Sequence, residues 1–318
     1  MKWPSLPRWF ALPGGLRPWV TLLSFGFLLA ALLNNSTELL QQRLDLQGWL
    51  WLSLAAGVTL LSLVLNAATW WLVLRQMGLR PRRTATVVAY LDTNQRRHLP
   101  GGVAHLAARL SLLQAPETPL QVPASSMPSL VAVILDPLLA TIASIALVAV
   151  GGWQGGFGVV GLAPLLLLRP RWLQPLLAWL KHHTTNPLGL DPTDLQAPAV
   201  LASPWPALVA ELAVLLLRFA GFVCCLMAFE LDASLDWGGW LAGFALACVA
   251  ALVVPGAPAG LGVFEAVLLI RLGTVIPTAP LLAVALSYRG VMSLADGLAA
   301  LCARLDRGPQ QAVHLPPP

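Results

Sequence analysis

The chain has 318 residues, 57% of them hydrophobic and 10% charged, with a formal net charge of +5. Ordinary soluble domains carry about 25% charged residues. This composition therefore excludes a water-soluble enzyme, a secreted disulfide scaffold and a disordered chain, and it points to an all-α polytopic membrane protein.

A crossing helix needs about 20 mostly apolar residues. On that measure about eight transmembrane helices are predicted, at 17–33, 48–74, 128–150, 157–168, 207–229, 237–254, 261–275 and 281–303. The first follows Lys2, Arg8 and Arg17 in the manner of a secretory signal, but it lacks a small-x-small cleavage pattern and is read as a retained span. Two stretches do not fit plain spans. One, 84–113, contains Gln95-Arg96-Arg97-His98-Leu99-Pro100-Gly101-Gly102 and is predicted as a re-entrant helical hairpin. The other is Val254-Pro255-Gly256-Ala257-Pro258-Ala259-Gly260-Leu261-Gly262, which opens a broken helix over 254–276. Backbone freed by such breaks needs partners from protein or a wet cavity, because lipid offers none. The whole of 1–305 reads as one membrane domain, and 306–318 as a disordered cytoplasmic tail.

The basic residues, 17 arginines and 2 lysines, stand at the ends of apolar runs. Such charges snorkel and set topology, whereas a nucleic-acid site needs a basic face on a soluble module. Arg75, Arg80, Arg82 and Arg83 follow the second span, and Arg304 and Arg307 follow the last. The loop 230–236 holds three acids and no base. The positive-inside rule then puts both termini in the cytoplasm, provided 84–113 enters and leaves on one side. Trp49, Trp153, Trp205, Trp237 and Trp240 fall near predicted span ends, as in an interfacial belt. Cys224, Cys225, Cys248 and Cys302 lie in apolar runs without metal spacing and read as small fillers. His182-His183 reads as a solvated loop pair, and neither a metal nor a cofactor is expected.

The two breaks align as an internal repeat. Pro100-Gly101-Gly102-Val103-Ala104 and Pro258-Ala259-Gly260-Leu261-Gly262 both read proline, small, glycine, aliphatic, small. Each precedes an apolar helix with a charge, Arg109 in the first and Glu265 in the second. Broken helices at matching places in two halves point to a binding site near mid-membrane. A restarting helix offers free N–H groups and a positive dipole end to an anionic group. Ionisable residues inside spans are rare because each costs about 2.5–3.5 kcal/mol. Here they are Asp136, Glu211, Arg218, Glu265, Arg271, Arg289 and Asp296, with His105 and Arg109 in the re-entrant region. Glu211 and Arg218 are seven apart, as are Arg289 and Asp296. Seven residues rise about 10 Å, so their partners are expected on other helices.

At these breaks the sequence resembles the transmembrane region of the lysylphosphatidylglycerol synthase family, also called flippase-like membrane proteins. The stretch from Arg97 through Leu99-Pro100-Gly101-Gly102 to Arg109 is similar to that family's first motif. Pro258-Ala259-Gly260-Leu261-Gly262-Val263-Phe264-Glu265 is similar to its second, with Ala259 standing where the motif has glycine. The resemblance implies an all-helical fold of two pseudo-repeated halves that moves a lipid or polyprenyl- or glycolipid-linked substrate between leaflets. The aminoacyl-transferring domain of some relatives is not expected here, so no enzymatic activity is implied. The expected site comprises Pro100, Gly101, Gly102, His105, Arg109, Asp136, Gly260, Gly262, Glu265, Arg289 and Asp296. In it the glycines and proline shape the backbone, His105 and Arg109 contact phosphate, and Glu265 couples or gates. Expected partners are membrane lipids, with a lipid-modifying enzyme or glycosyltransferase as a possible associate, in a bacterial inner or plasma membrane. Two other readings stay open: a secondary transporter of a small solute, and a non-transporting membrane partner of a lipid-modifying enzyme.

Overall fold

The computed structural model describes residues 16–41, 44–99, 103–152, 203–254 and 257–307. Among these residues the structure is all-helical, and its one β-type pairing is an isolated bridge between Pro81 and Leu120. The predicted fourth span, the His182-His183 loop and the Pro100-Gly101-Gly102 break lie outside the described residues.

The described residues open with α1 (Leu16–Asn34) and the short α2 (Ser36–Gln41). Helix α3 (Leu46–Gln76) begins where Asp45 Oδ1 accepts from Gly48 N at 2.6 Å. It stops at Gly78, whose left-handed φ of 78° lets Leu79 N reach back to Leu74 O. A first hairpin follows: α4 (Arg83–Asn94), a 3-10 turn over Gln95–His98, then α5 (Ala104–Gln114). Its two ends are tied together, since Arg82 N donates to Pro119 O and Gln121 N donates to Arg80 O. The Arg82 guanidinium also donates to the carbonyls of Thr118 and Leu120. The next long helix is α6 (Ser126–Gly151).

Helix α7 (Trp205–Ala228) leads to a second hairpin: α8 (Trp237–Val253), a 3-10 turn over Pro258–Gly260, and α9 (Val263–Leu272). The last helix among the described residues is α10 (Thr278–Arg307). Helices α3, α6, α7 and α10 are each long and apolar enough to cross a membrane.

The expected sixth and seventh spans correspond to the arms of the second hairpin, 17 and 10 residues long. Ten residues rise about 15 Å, half of a 30 Å hydrocarbon core. Helix α9 is short because Gly262, at φ 79°, cannot be helical and Gly273 caps the other end. The tail also starts later than expected, as α10 continues through Arg307. Trp240 is no belt residue: it is fully buried, whereas Trp49, Trp205 and Trp237 are exposed.

The hairpins pack across the molecule. The first lies against α10, and the second against α6, while α3 and α7 form the most extensive helix pair. The two 3-10 turns touch each other. Four helices of the second part meet in one aromatic cluster, with Phe222, Phe244, Phe264 and Tyr288 contributed by α7 to α10 in turn. Their ring centroids lie 5.2–6.4 Å apart, within the range of favourable aromatic pairs.

Candidate functional site

Beside the touching 3-10 turns of the two hairpins lies a cavity of about 350 Å³. Four arginines line it, Arg97, Arg109, Arg218 and Arg289, together with Asp136 and Glu211. Val103, Leu252 and Val253 form an apolar, exposed lip.

Arg109, on α5, is almost wholly buried. Its Nη1 donates to Asp136 Oδ2 at 2.8 Å and its Nη2 to Asn94 Oδ1 at 3.2 Å. The guanidinium lies 3.6 Å from the Tyr90 ring centroid, a cation–π contact that burial strengthens. Every direction of this side chain is therefore fixed. The second break carries a matching pair of reversed sign. Glu265, on α9 and fully buried, accepts from Gly262 N at 2.7 Å and from Arg289 Nε at 2.9 Å. In each hairpin the charge on the second arm thus pairs with the opposite charge on the following long helix.

Helix α10 fastens both hairpin tips. Asp296 holds the first: it accepts from Asn94 Nδ2 at 2.9 Å, sits 2.8 Å from His98 Nε2 and pairs with Arg97. Arg289 holds the second, donating from Nη1 to Ala259 O at 2.6 Å. Ala259 is itself left-handed, at φ 49° and ψ 24°. Gly260 and Gly262 follow at φ 72° and 79°. A Cβ on Gly260 would collide with Ala251, and one on Gly262 with the Ser24 backbone of α1. Glycine is needed at both for conformation and for close approach.

A fourth group joins the long helices. With its amide turned so that oxygen and nitrogen face matching partners, Asn66, on α3, accepts from Arg218 Nη2 at 2.7 Å and donates to Glu211 Oε1 at 3.2 Å, with Tyr90 Oη 3.0 Å from its carbonyl oxygen. Tyr90 Oη also lies 3.3 Å from Asp136 Oδ2. Arg218 and Glu211, seven residues apart on α7, are thus bridged by a residue of α3.

Of the residues expected at the site, His105, Arg109, Asp136, Gly260 and Arg289 line the cavity. Gly262, Glu265 and Asp296 stand behind it, the two acids holding arginines in place. Pro100, Gly101 and Gly102 lie outside the described residues. Asn66, Tyr90, Asn94 and Arg97 were missed as site residues. An asparagine in mid-run of a long apolar helix was the available signal for Asn66. No group of three or more metal-ligating side chains occurs among the described residues. No family model matches the chain, and the curated proteins contain no match to it.

Chemically, the arrangement sets four guanidiniums against four carboxylates: Asp136, Glu211, Glu265 and Asp296. Buried charge is tolerated because most of it is paired and hydrogen-bonded. What faces the cavity is richer in arginine, since two of the acids are spent behind it.

Proposed function

We propose that the protein moves a lipid or lipid-linked substrate between membrane leaflets, as a flippase-like relative of the lysylphosphatidylglycerol synthase transmembrane region. One observation carries the reading: an arginine-lined cavity with an apolar lip, at the meeting point of two broken hairpins, among helices long and apolar enough to cross a membrane. A polar headgroup fits the inner wall and hydrocarbon fits the lip. Broken helices at the midplane and repeat interface are where transporters bind substrate.

In this reading the first hairpin is re-entrant, its tied ends staying on the arginine-rich side. The second enters from the side of Glu230, Asp232 and Asp236. The order of long helix, hairpin, long helix, which runs through α3–α6 and again through α7–α10, then represents two pseudo-repeated halves. The arginine-rich side is cytoplasmic under the positive-inside rule, and both termini lie there.

Lipid translocation in proteoliposomes tests the reading, using labelled anionic and zwitterionic lipids with and without a pH gradient. Translocation above protein-free vesicles that falls in Arg289→Gln is the expected result. Absence of movement for phospholipids and for a polyprenyl-phosphate lipid overturns it. Solute uptake driven by an ion gradient would instead identify a small-solute transporter.

A further inference from the structure

We propose that Arg75 and Arg83, gathered over the Trp71 ring, bind the phosphate of an anionic phospholipid whose acyl chain lies along the exposed face of α3. The site is separate from the cavity. It rests on α3 crossing the membrane and not on the translocation reading.

Two guanidiniums share one ring. Arg75, in the last turn of α3, lies 5.5 Å from the Trp71 ring centroid, and Arg83, which begins α4, lies 4.8 Å from it. The ring is held by its own hydrogen bond, Trp71 Nε1 donating to Pro81 O at 3.2 Å. The segment that carries Arg83 is held as well, since Arg82 N donates to Pro119 O at 3.0 Å. Both arginines are exposed, and neither forms an ion pair among the described residues. Two fixed cations without a paired carboxylate repel each other and attract an anion. A phosphate fits, because a guanidinium presents paired N–H donors that match phosphate oxygens. The contacts with the ring already hold the two side chains, so little freedom is lost on binding.

The neighbouring face of α3 points to a lipid as the source of that phosphate. Leu61, Val64, Ala68, Trp71 and Arg75 fall on one side of the helix by their spacing. Leu61 and Val64 are 57% and 41% exposed, Ala68 is exposed and Trp71 is half-buried. An apolar stripe thus runs into a tryptophan and ends on an arginine, the order of hydrocarbon, interface and headgroup. From Leu61 to Trp71 the helix rises about 15 Å, the hydrocarbon depth of one leaflet. A phosphate at Arg75 and Arg83 therefore leaves its acyl chain beside the stripe. The lipid is anionic, because the ammonium of a zwitterionic one adds a third cation to the pair. Bound there, it ties the last turn of α3 to the first turn of α4, at the open end of the first hairpin.

Thermal unfolding of the full chain in a neutral detergent tests the site, with phosphatidylglycerol, phosphatidylcholine or inorganic phosphate titrated in. Phosphatidylglycerol should raise the melting temperature, and the other two should raise it much less. In the double variant Arg75→Gln, Arg83→Gln, the phosphatidylglycerol concentration that gives half of the shift should rise by about tenfold or more. Without lipid, that variant should melt near the unaltered protein, because neither arginine has an ion-pair partner to lose. Arg271→Gln, which removes an exposed arginine from α9, should keep the full response. The comparison of the three ligands is read on the unaltered protein, so it stands even if a variant fails to fold. Equal shifts from phosphatidylglycerol and phosphatidylcholine overturn the preference for an anionic lipid. An equal shift from inorganic phosphate overturns the lipid as source. A double variant that responds as the unaltered protein does overturns the site at Arg75 and Arg83. None of these outcomes depends on whether the protein translocates lipid.

Discussion

Arg109 is the residue on which the first hairpin depends. It joins α5 to α4 through Asn94 and to α6 through Asp136, and it covers the face of Tyr90. Its removal leaves a buried carboxylate unpaired, which destabilises a fold by about 3–5 kcal/mol. Arg109→Ala should therefore lower the unfolding temperature in detergent sharply, and adding Asp136→Ala should recover part of the loss. If the double variant is no more stable than Arg109→Ala, the pair does not act as a unit. Ala259 is the converse case. A left-handed non-glycine residue carries about 1–2 kcal/mol of strain. Ala259→Gly relieves it, at about 0.5–1 kcal/mol of added freedom in the unfolded chain. Thermal unfolding should show Ala259→Gly neutral to stabilising by about 1 kcal/mol, and a clear loss would mean that the turn is not left-handed there.

Among the elements, the second break is shaped by two glycines that no other residue replaces. Gly260→Ala and Gly262→Ala each combine a left-handed φ with a collision, against Ala251 in one case and the Ser24 backbone in the other. Both should destabilise by more than about 1–2 kcal/mol, while Gly57→Ala, with open space on the exposed side of α3, should not. Melting curves of the three variants check the contrast, and a Gly262→Ala as stable as Gly57→Ala would contradict the close approach of α1. Hydropathy and length made the long helices legible: the expectation of 48–74, 128–150, 207–229 and 281–303 falls within about four residues of α3, α6, α7 and α10 at each end. The hairpin formed by α8 and α9 was not legible, because a short helix packed in protein is as apolar as one that crosses lipid. Arg109, Asp136, Glu265, Arg289 and Asp296 were visible as charges embedded in apolar runs. Their pairings were not, because contacts such as Asn94 with Asp296, 202 residues apart, leave no local pattern. Nor could spacing reveal that Glu265 caps its own helix through Gly262 N and holds Arg289 instead of facing the cavity.

For the whole molecule, the two hairpins enter from opposite ends of the long helices, and that geometry makes a claim about sides. Arg80, Arg82 and Arg83 surround the open end of the first hairpin, where Arg75 and Arg83 also lie 5.5 and 4.8 Å from the Trp71 ring centroid. Asp232 and Asp236 stand at the open end of the second, where Asp236 caps α8. In the proposed topology, the excess of arginine puts the open end of the first hairpin in the cytoplasm. With the four native cysteines replaced by alanine, single cysteines at exposed Arg80 and Ala233 report the two ends. A membrane-impermeant maleimide applied to intact cells should label Ala233→Cys and spare Arg80→Cys until the cells are opened. Labelling of both from outside would place the open ends of the two hairpins on one side. Tips that meet from opposite sides would then be impossible, and a cavity reachable from either leaflet would lose its physical basis.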